Sequence, residues 1–172
     1  MQNYSLTTIL ETLTKKNGKK RLLYNFGPVG GWNSSIITMM FFTLPFIEFA
    51  VLFNPYSFAY LGIAQSIIFY VVFSSMLMIL VAGLIFALNT NLIRKITPSW
   101  NALFGERDIT LVLSSGVTPY SKFFPKYKEL VNENLNEEMM YKALLNALEE
   151  MEEENKEMLD AMKRNNNLRN RD

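Results

Sequence analysis

The 172-residue chain contains no cysteine and no histidine. Those absences exclude disulfides, thiolate zinc and iron–sulfur sites, imidazole-held haem or metal, and nucleophile systems built on a Ser-His or Cys-His pair. Charge is sparse, at 19% of residues, and unevenly placed: between Arg21 and Arg94 the one charged side chain is Glu48. Glycine and proline are missing from Lys126 to Asp172. The near-neutral balance of +1 also hides a division. Residues 1–128 carry eleven Lys and Arg against four Asp and Glu, whereas residues 129–172 carry six against twelve. No Gly-x-x-x-x-Gly-Lys, dinucleotide fingerprint or calcium-loop pattern occurs, so no catalytic, cofactor-binding or metal residue is expected, and no small-molecule substrate.

What the chain has in abundance is hydrophobic surface, 49% of residues, gathered into two blocks. Ile36 to Phe53 gives 18 residues and Phe58 to Leu88 gives 31 without one charge. About 20 apolar helical residues cross a hydrocarbon core of about 30 Å. The fold class expected is therefore an all-α membrane protein, a two-span transmembrane hairpin with an amphipathic N-terminal helix and a charged C-terminal helix. Its divisions are an amphipathic and basic arm over 1–35, a first span over 36–53, a tight loop over 54–57, a second span over 58–88, an irregular extended connector over 89–128, and a charged helix over 129–172. The run Ile109 to Leu113 is read as a lone strand awaiting an edge from another chain.

A four-residue loop makes the spans antiparallel and puts both termini on one side. Lys15, Lys16, Lys19, Lys20 and Arg21 precede the first span, Arg94 and Lys95 follow the second, and the loop is uncharged. The positive-inside bias then places both ends in a mitochondrial matrix or, alternatively, a bacterial cytoplasm. The same five basic residues suit anionic lipid headgroups, which accounts for them without nucleic acid. Tyr24, Trp32, Tyr56, Tyr60 and Trp100 fall at the block boundaries and read as candidate interfacial anchors. Leu6, Ile9, Leu10 and Leu13 form one face of a short helix after Ser5, suited to a membrane interface or a partner.

Glu48 is the sharpest single feature, because a carboxylate inside a span is costly and tends to mark function. It lies about 9 Å inside the loop end at helical rise, and Gln65 about 12 Å in on the facing span, so the two are expected to pair across the hairpin. In the last region Tyr141, Leu144, Leu148, Met151, Asn155, Met158 and Met162 alternate by three and four, an a/d track with Asn155 at an a position. Docking on a partner helix is the expectation for that track.

In order of elements, a membrane hairpin followed by a charged helix is similar to the membrane-anchored stalk subunit of an ATP synthase, although this helix is shorter than a full stalk needs. The function expected is a non-catalytic structural or assembly subunit of an energy-transducing membrane complex, an accessory subunit of the synthase's membrane part or of a respiratory-chain complex. A mitochondrial inner membrane is the expected location. A small proton or cation channel using Glu48, and an adaptor recruiting a partner through its C-terminal helix, are the alternatives.

Overall fold

A computed structural model describes residues 3–105, 107–133 and 135–169, with the side chains of 32–34 and 166–169 outside the description. All regular elements among the described residues are helical, joined by one isolated bridge between Thr14 and Lys20. Two helices, α2 (Trp32–Leu52) and α3 (Pro55–Phe104), are long and apolar enough to cross a membrane. The chain divides into two compact units, one of Leu23–Leu92 and one of Met1–Leu22 with Ile93–Asp172.

In the Leu23–Leu92 unit, a 3-10 turn at Tyr24–Phe26 leads into α2. Asn25 anchors this entry. Its amide donates to Thr38 Oγ1 at 3.3 Å, and its carbonyl accepts from Ser35 Oγ at 3.1 Å. Asn54 then serves two helices at once. Its side-chain oxygen accepts from the backbone N–H of Tyr56 and Ser57 at 2.9 and 3.0 Å, capping α3, while its amide donates to Val51 O at 2.8 Å. Pro55 suits the first helical position, where no N–H is needed.

The tight loop is not the whole turn. Gly62 breaks α3 with φ +71°, a conformation open to glycine and costly for other residues. Ser66 Oγ donates to the Gly62 carbonyl at 2.9 Å across the break. Ring contacts then match Phe53 with Tyr70 at 5.5 Å and Phe49 with Tyr70 at 6.0 Å. The segment from Pro55 past Gly62 therefore belongs to the turn. The outer faces of both helices are bare: Phe46, Phe86, Ile79 and Met78 are each exposed by more than 70%.

In the other unit, α1 (Leu6–Leu13) is capped by Ser5, whose hydroxyl accepts from Thr8 N at 3.2 Å. Its apolar stripe is buried in this same chain, with Ile9 and Leu13 at 0% exposure. No membrane interface or partner is needed to cover it, and the helix meets α6 (Glu137–Glu154), where Thr7 N donates to Glu137 Oε1 at 3.1 Å. The irregular connector expected over 89–128 is largely helical. α3 runs through Thr97-Pro98 to Phe104, because losing one backbone hydrogen bond costs less than burying Ile96, Trp100 and Phe104 yields. The residues expected as a strand form α4 (Ile109–Leu113), started by Asp108 accepting from Thr110 N at 2.8 Å. α5 (Phe123–Asn132) follows and packs on α6.

The single long helix expected from 129 onward is three pieces. α5 stops at Asn132, Asn136 caps α6 by accepting from Met139 N at 2.8 Å, and Asn155 ends α6 before α7 (Lys156–Arg169). Asparagine favours such boundaries because its side chain competes for backbone groups.

Candidate functional site

Glu48 sits on α2 facing α3, and it does not pair with Gln65. Its Oε2 accepts a hydrogen bond from Ser74 Oγ at 3.1 Å, and Gln65 is exposed beside the Gly62 break. A straight helix from Ser57 would have set Gln65 near the depth of Glu48. The break shifts the register, so residues well beyond Gln65 come level with Glu48. The second carboxylate oxygen, Oε1, is buried with no hydrogen-bond partner. Elsewhere the Glu48 residue lines a groove of about 420 Å3 with side chains that are otherwise all apolar, among them Leu44, Ile47, Phe73 and Met76.

The other unit holds a charged node that sequence reasoning missed. Arg107 reaches Glu152 with two parallel bonds, Nε to Oε1 at 2.8 Å and Nη2 to Oε2 at 3.0 Å. Its remaining nitrogen, Nη1, donates to the Phe104 carbonyl at the end of α3 at 3.1 Å. Tyr120 OH donates to Glu152 Oε1 at 2.8 Å, and Trp100 Nε1 donates to the Arg107 carbonyl at 2.8 Å. Burial alone would raise the Glu152 carboxyl. The bonds from Arg107 and Tyr120 outweigh it and hold the group below its usual value. Burial first, and then the bond to Glu152, raise Tyr120. Each charge is answered inside the cluster, so the node clamps the end of α3, the Tyr120 turn and α6 together. A groove of about 780 Å3 beside it is lined by Arg107, Tyr120, Glu149 and Glu152, and on α7 by Lys156 and Met162.

Sequence carried little signal for this node, because its members lie 45 and 32 residues apart and Glu152 stands in an acidic run that reads as a solvated face.

The a/d track turns inward instead of offering itself to a partner. Leu144 and Leu148 are 0% exposed and Met151 is 4% exposed within this unit. Tyr141 OH donates to Leu103 O at 2.8 Å, and its ring meets Phe104 at 5.7 Å. Asn155 is a helix stop, its amide donating to Met151 O at 2.9 Å and Pro119 O at 3.1 Å. Met158 and Met162 lie beyond that stop, half-buried on α7.

The basic cluster divides likewise. Lys15, Lys16 and Lys19 are exposed on a tight hairpin closed by Lys15 N to Lys19 O at 2.8 Å and turned at Gly18. Lys20 donates instead to the Leu113 carbonyl at the end of α4, and burial pushes its ammonium down from the ordinary value. Arg21 Nε donates to Thr14 O at 2.6 Å, closing the end of α1. Two of the five cations are thus occupied within the chain. Of the candidate anchors, Tyr24 and Trp100 are buried, at 4% and 0% exposure, whereas Tyr56 and Tyr60 stand out at 83% and 90%. The Trp32 side chain lies outside the described residues.

Among the described residues no group of three or more acidic side chains is placed to hold a metal ion. No protein-family model, curated protein or solved structure matches the chain.

Proposed function

We propose that this chain is a non-catalytic, membrane-anchored assembly subunit of a multi-subunit membrane complex. The observation that carries the reading is the bareness of its two long helices. Their most apolar 18-residue stretches are 6% and 0% buried. A soluble protein covers such helices, because leaving them in water costs about 25 cal/mol for each Å2 of apolar surface. Lipid and neighbouring helices are the surroundings that remove this cost. The Met1–Leu22 and Ile93–Asp172 segments, which share one compact unit, would then lie on the same side of the bilayer, and the exposed Lys15, Lys16 and Lys19 would be open to anionic headgroups. An energy-transducing complex of the mitochondrial inner membrane rests on composition and order of elements, not on any contact.

Purification in mild detergent, with identification of every co-purifying chain, tests the proposal. A constant set of integral membrane proteins at fixed stoichiometry is expected. Recovery as a stable monomer, or release of the chain from membranes by high salt, refutes it.

A further inference from the structure

We propose that the turn end of the hairpin, from Asn54 through Gly62 to Ile68, stands in the headgroup layer of a phospholipid bilayer, with Tyr56, Tyr60 and Gln65 as its polar contacts to lipid. The inference rests on the membrane reading and names what meets the hairpin where it leaves the hydrocarbon. Phe53 meets Tyr70 at 5.5 Å, and Gly62 lies nine residues beyond the one and eight before the other. The two arms are thus nearly equal in length, and the break at Gly62, with φ +71°, is their apex. From Ile63 the returning helix runs to Leu88 without a charge, 26 residues or about 39 Å at helical rise. A hydrocarbon core is about 30 Å thick, so about 9 Å of this arm exceeds it. The end away from the turn is marked by Asn89, whose side chain accepts from Tyr24 N at 3.1 Å, and then by Arg94. With Leu88 at that boundary, about 20 residues of helix bring the opposite boundary to Phe69. The excess then falls at the turn.

Two other placements conflict with the side chains there. The first tilts the hairpin until the whole arm lies in hydrocarbon. Asn54, Ser57 and Ser66 would tolerate this, because their side chains are bonded within the chain: Asn54 to the N–H groups of Tyr56 and Ser57, Ser57 Oγ to Val51 O at 2.6 Å, and Ser66 Oγ to Gly62 O at 2.9 Å. Tyr56, Tyr60 and Gln65 are exposed, and nothing among the described residues hydrogen-bonds to their side chains. Three unpartnered polar groups in hydrocarbon cost more than about 9 Å of mismatch between helix and bilayer. The second placement lifts the turn into water, which leaves Ile63 and Ile68 bare at 67% and 61% exposure beside the tyrosine rings. The headgroup layer alone offers acyl-chain ends to these side chains together with phosphate, ester and water for the three polar ends, which is why tyrosine concentrates there. The turn carries no charge, so its anchoring is indifferent to lipid charge.

Because the chain has no cysteine, single labels report depth directly. The full chain in phosphatidylcholine vesicles carries a nitroxide on Ile63→Cys, Ile67→Cys, Val71→Cys or Ile79→Cys, all exposed positions, and collision with oxygen is compared with collision with a water-soluble nickel chelate. Labels at Val71 and Ile79 should favour oxygen, Ile79 the more strongly because it lies midway between Phe69 and Leu88. Labels at Ile67 and Ile63 should gain nickel access stepwise, with Ile63 reading about 9 Å outside the core boundary. Adding phosphatidylglycerol should leave all four depths unchanged. Combining Tyr56→Phe, Tyr60→Phe and Gln65→Leu keeps side-chain volume while removing the polar ends, and should draw the Ile63 label toward the core. Oxygen-favouring labels at Ile63 and Ile67, nickel access there equal to that of a label free in solution, or a depth unmoved by the triple variant overturns the inference. Exclusion of both reagents from the turn, the mark of cover by a second copy of the chain, overturns it as well. Nickel access at Val71 and Ile79 too puts the hairpin outside the bilayer and removes the membrane reading, whereas protection at those two sites leaves that reading standing whatever the turn does.

Discussion

A double-mutant cycle on Arg107 and Glu152 gives the clearest test of how the unit built from both chain ends is held together. The pair is bidentate, with bonds of 2.8 and 3.0 Å, and its side chains are 19% and 29% exposed. Exposed ion pairs are worth about 0–1 kcal/mol, and breaking a buried pair costs about 3–5 kcal/mol. Geometry this good at intermediate burial places the coupling near ~2 kcal/mol, the size of one charge-assisted hydrogen bond. Arg107→Met should cost more, about 3 kcal/mol, because it also strips the donor from the Phe104 carbonyl. Glu152→Gln should cost about 2 kcal/mol, since a glutamine retains an acceptor for Tyr120. Urea unfolding of the full chain in mild detergent measures all four corners. Trp100 is the reporter, being fully buried and bonded to the Arg107 carbonyl, in a Trp32→Phe background that leaves it as the only tryptophan. A coupling below about 0.5 kcal/mol would refute the clamp and place the pair with ordinary surface bridges.

The same reporter checks two further expectations. Leu148→Ala, at a site with 0% exposure, should cost about 2–5 kcal/mol, whereas Met158→Ala on half-buried α7 should cost clearly less; equal small effects would show that the track is not an internal core. Stability should also fall at both ends of the pH range. The Glu152 carboxyl is depressed on folding, so its contribution is present above the unfolded value of 4.5 and is lost as pH falls through the folded one. Burial raises Tyr120 and Tyr127, so their contributions are present below the unfolded value of 10.0 and are lost as pH rises further. A urea midpoint independent of pH below 4.5, or an acid limb unchanged by Glu152→Gln, would contradict this assignment.

Features encoded by neighbouring residues were legible in the sequence. Ser5 ahead of Leu6, Ile9, Leu10 and Leu13 announced α1, and Asn54-Pro55 announced the boundary between two apolar helices. The errors arose where local preference and burial disagree. Thr97-Pro98 is a conventional stop, yet three aligned side chains at Ile96, Trp100 and Phe104 carry the helix through it. Ile109 to Leu113 has strand composition, yet one Asp108 cap and burial of Ile109, Val112 and Leu113 are enough for a short helix. Gly62 lies inside the run Phe58 to Leu88, expected as one unbroken span. Its positive φ is a backbone property that the surrounding apolar residues do not reveal, and it displaced the expected partner of Glu48 from Gln65 to Ser74.

The largest misreading concerned what an apolar stripe implies. The α1 face and the Tyr141 to Met162 track each looked unsatisfied, the first suited to a membrane interface or a partner and the second to a partner helix. A stripe specifies only that something apolar covers it, and the covering segment can lie at the far end of the same sequence. Here the two stripes belong to one unit, α1 meeting α6 across 130 residues between Thr7 and Glu137. That closure reduces the reasons for proposing partners. The C-terminal helices no longer demand one, and the apolar surface left uncovered within the chain is that of α2 and α3. It also constrains assembly: α1 meets α6, so this unit can be completed only after the residues of both long apolar helices, which lie between them in the sequence, have been synthesised.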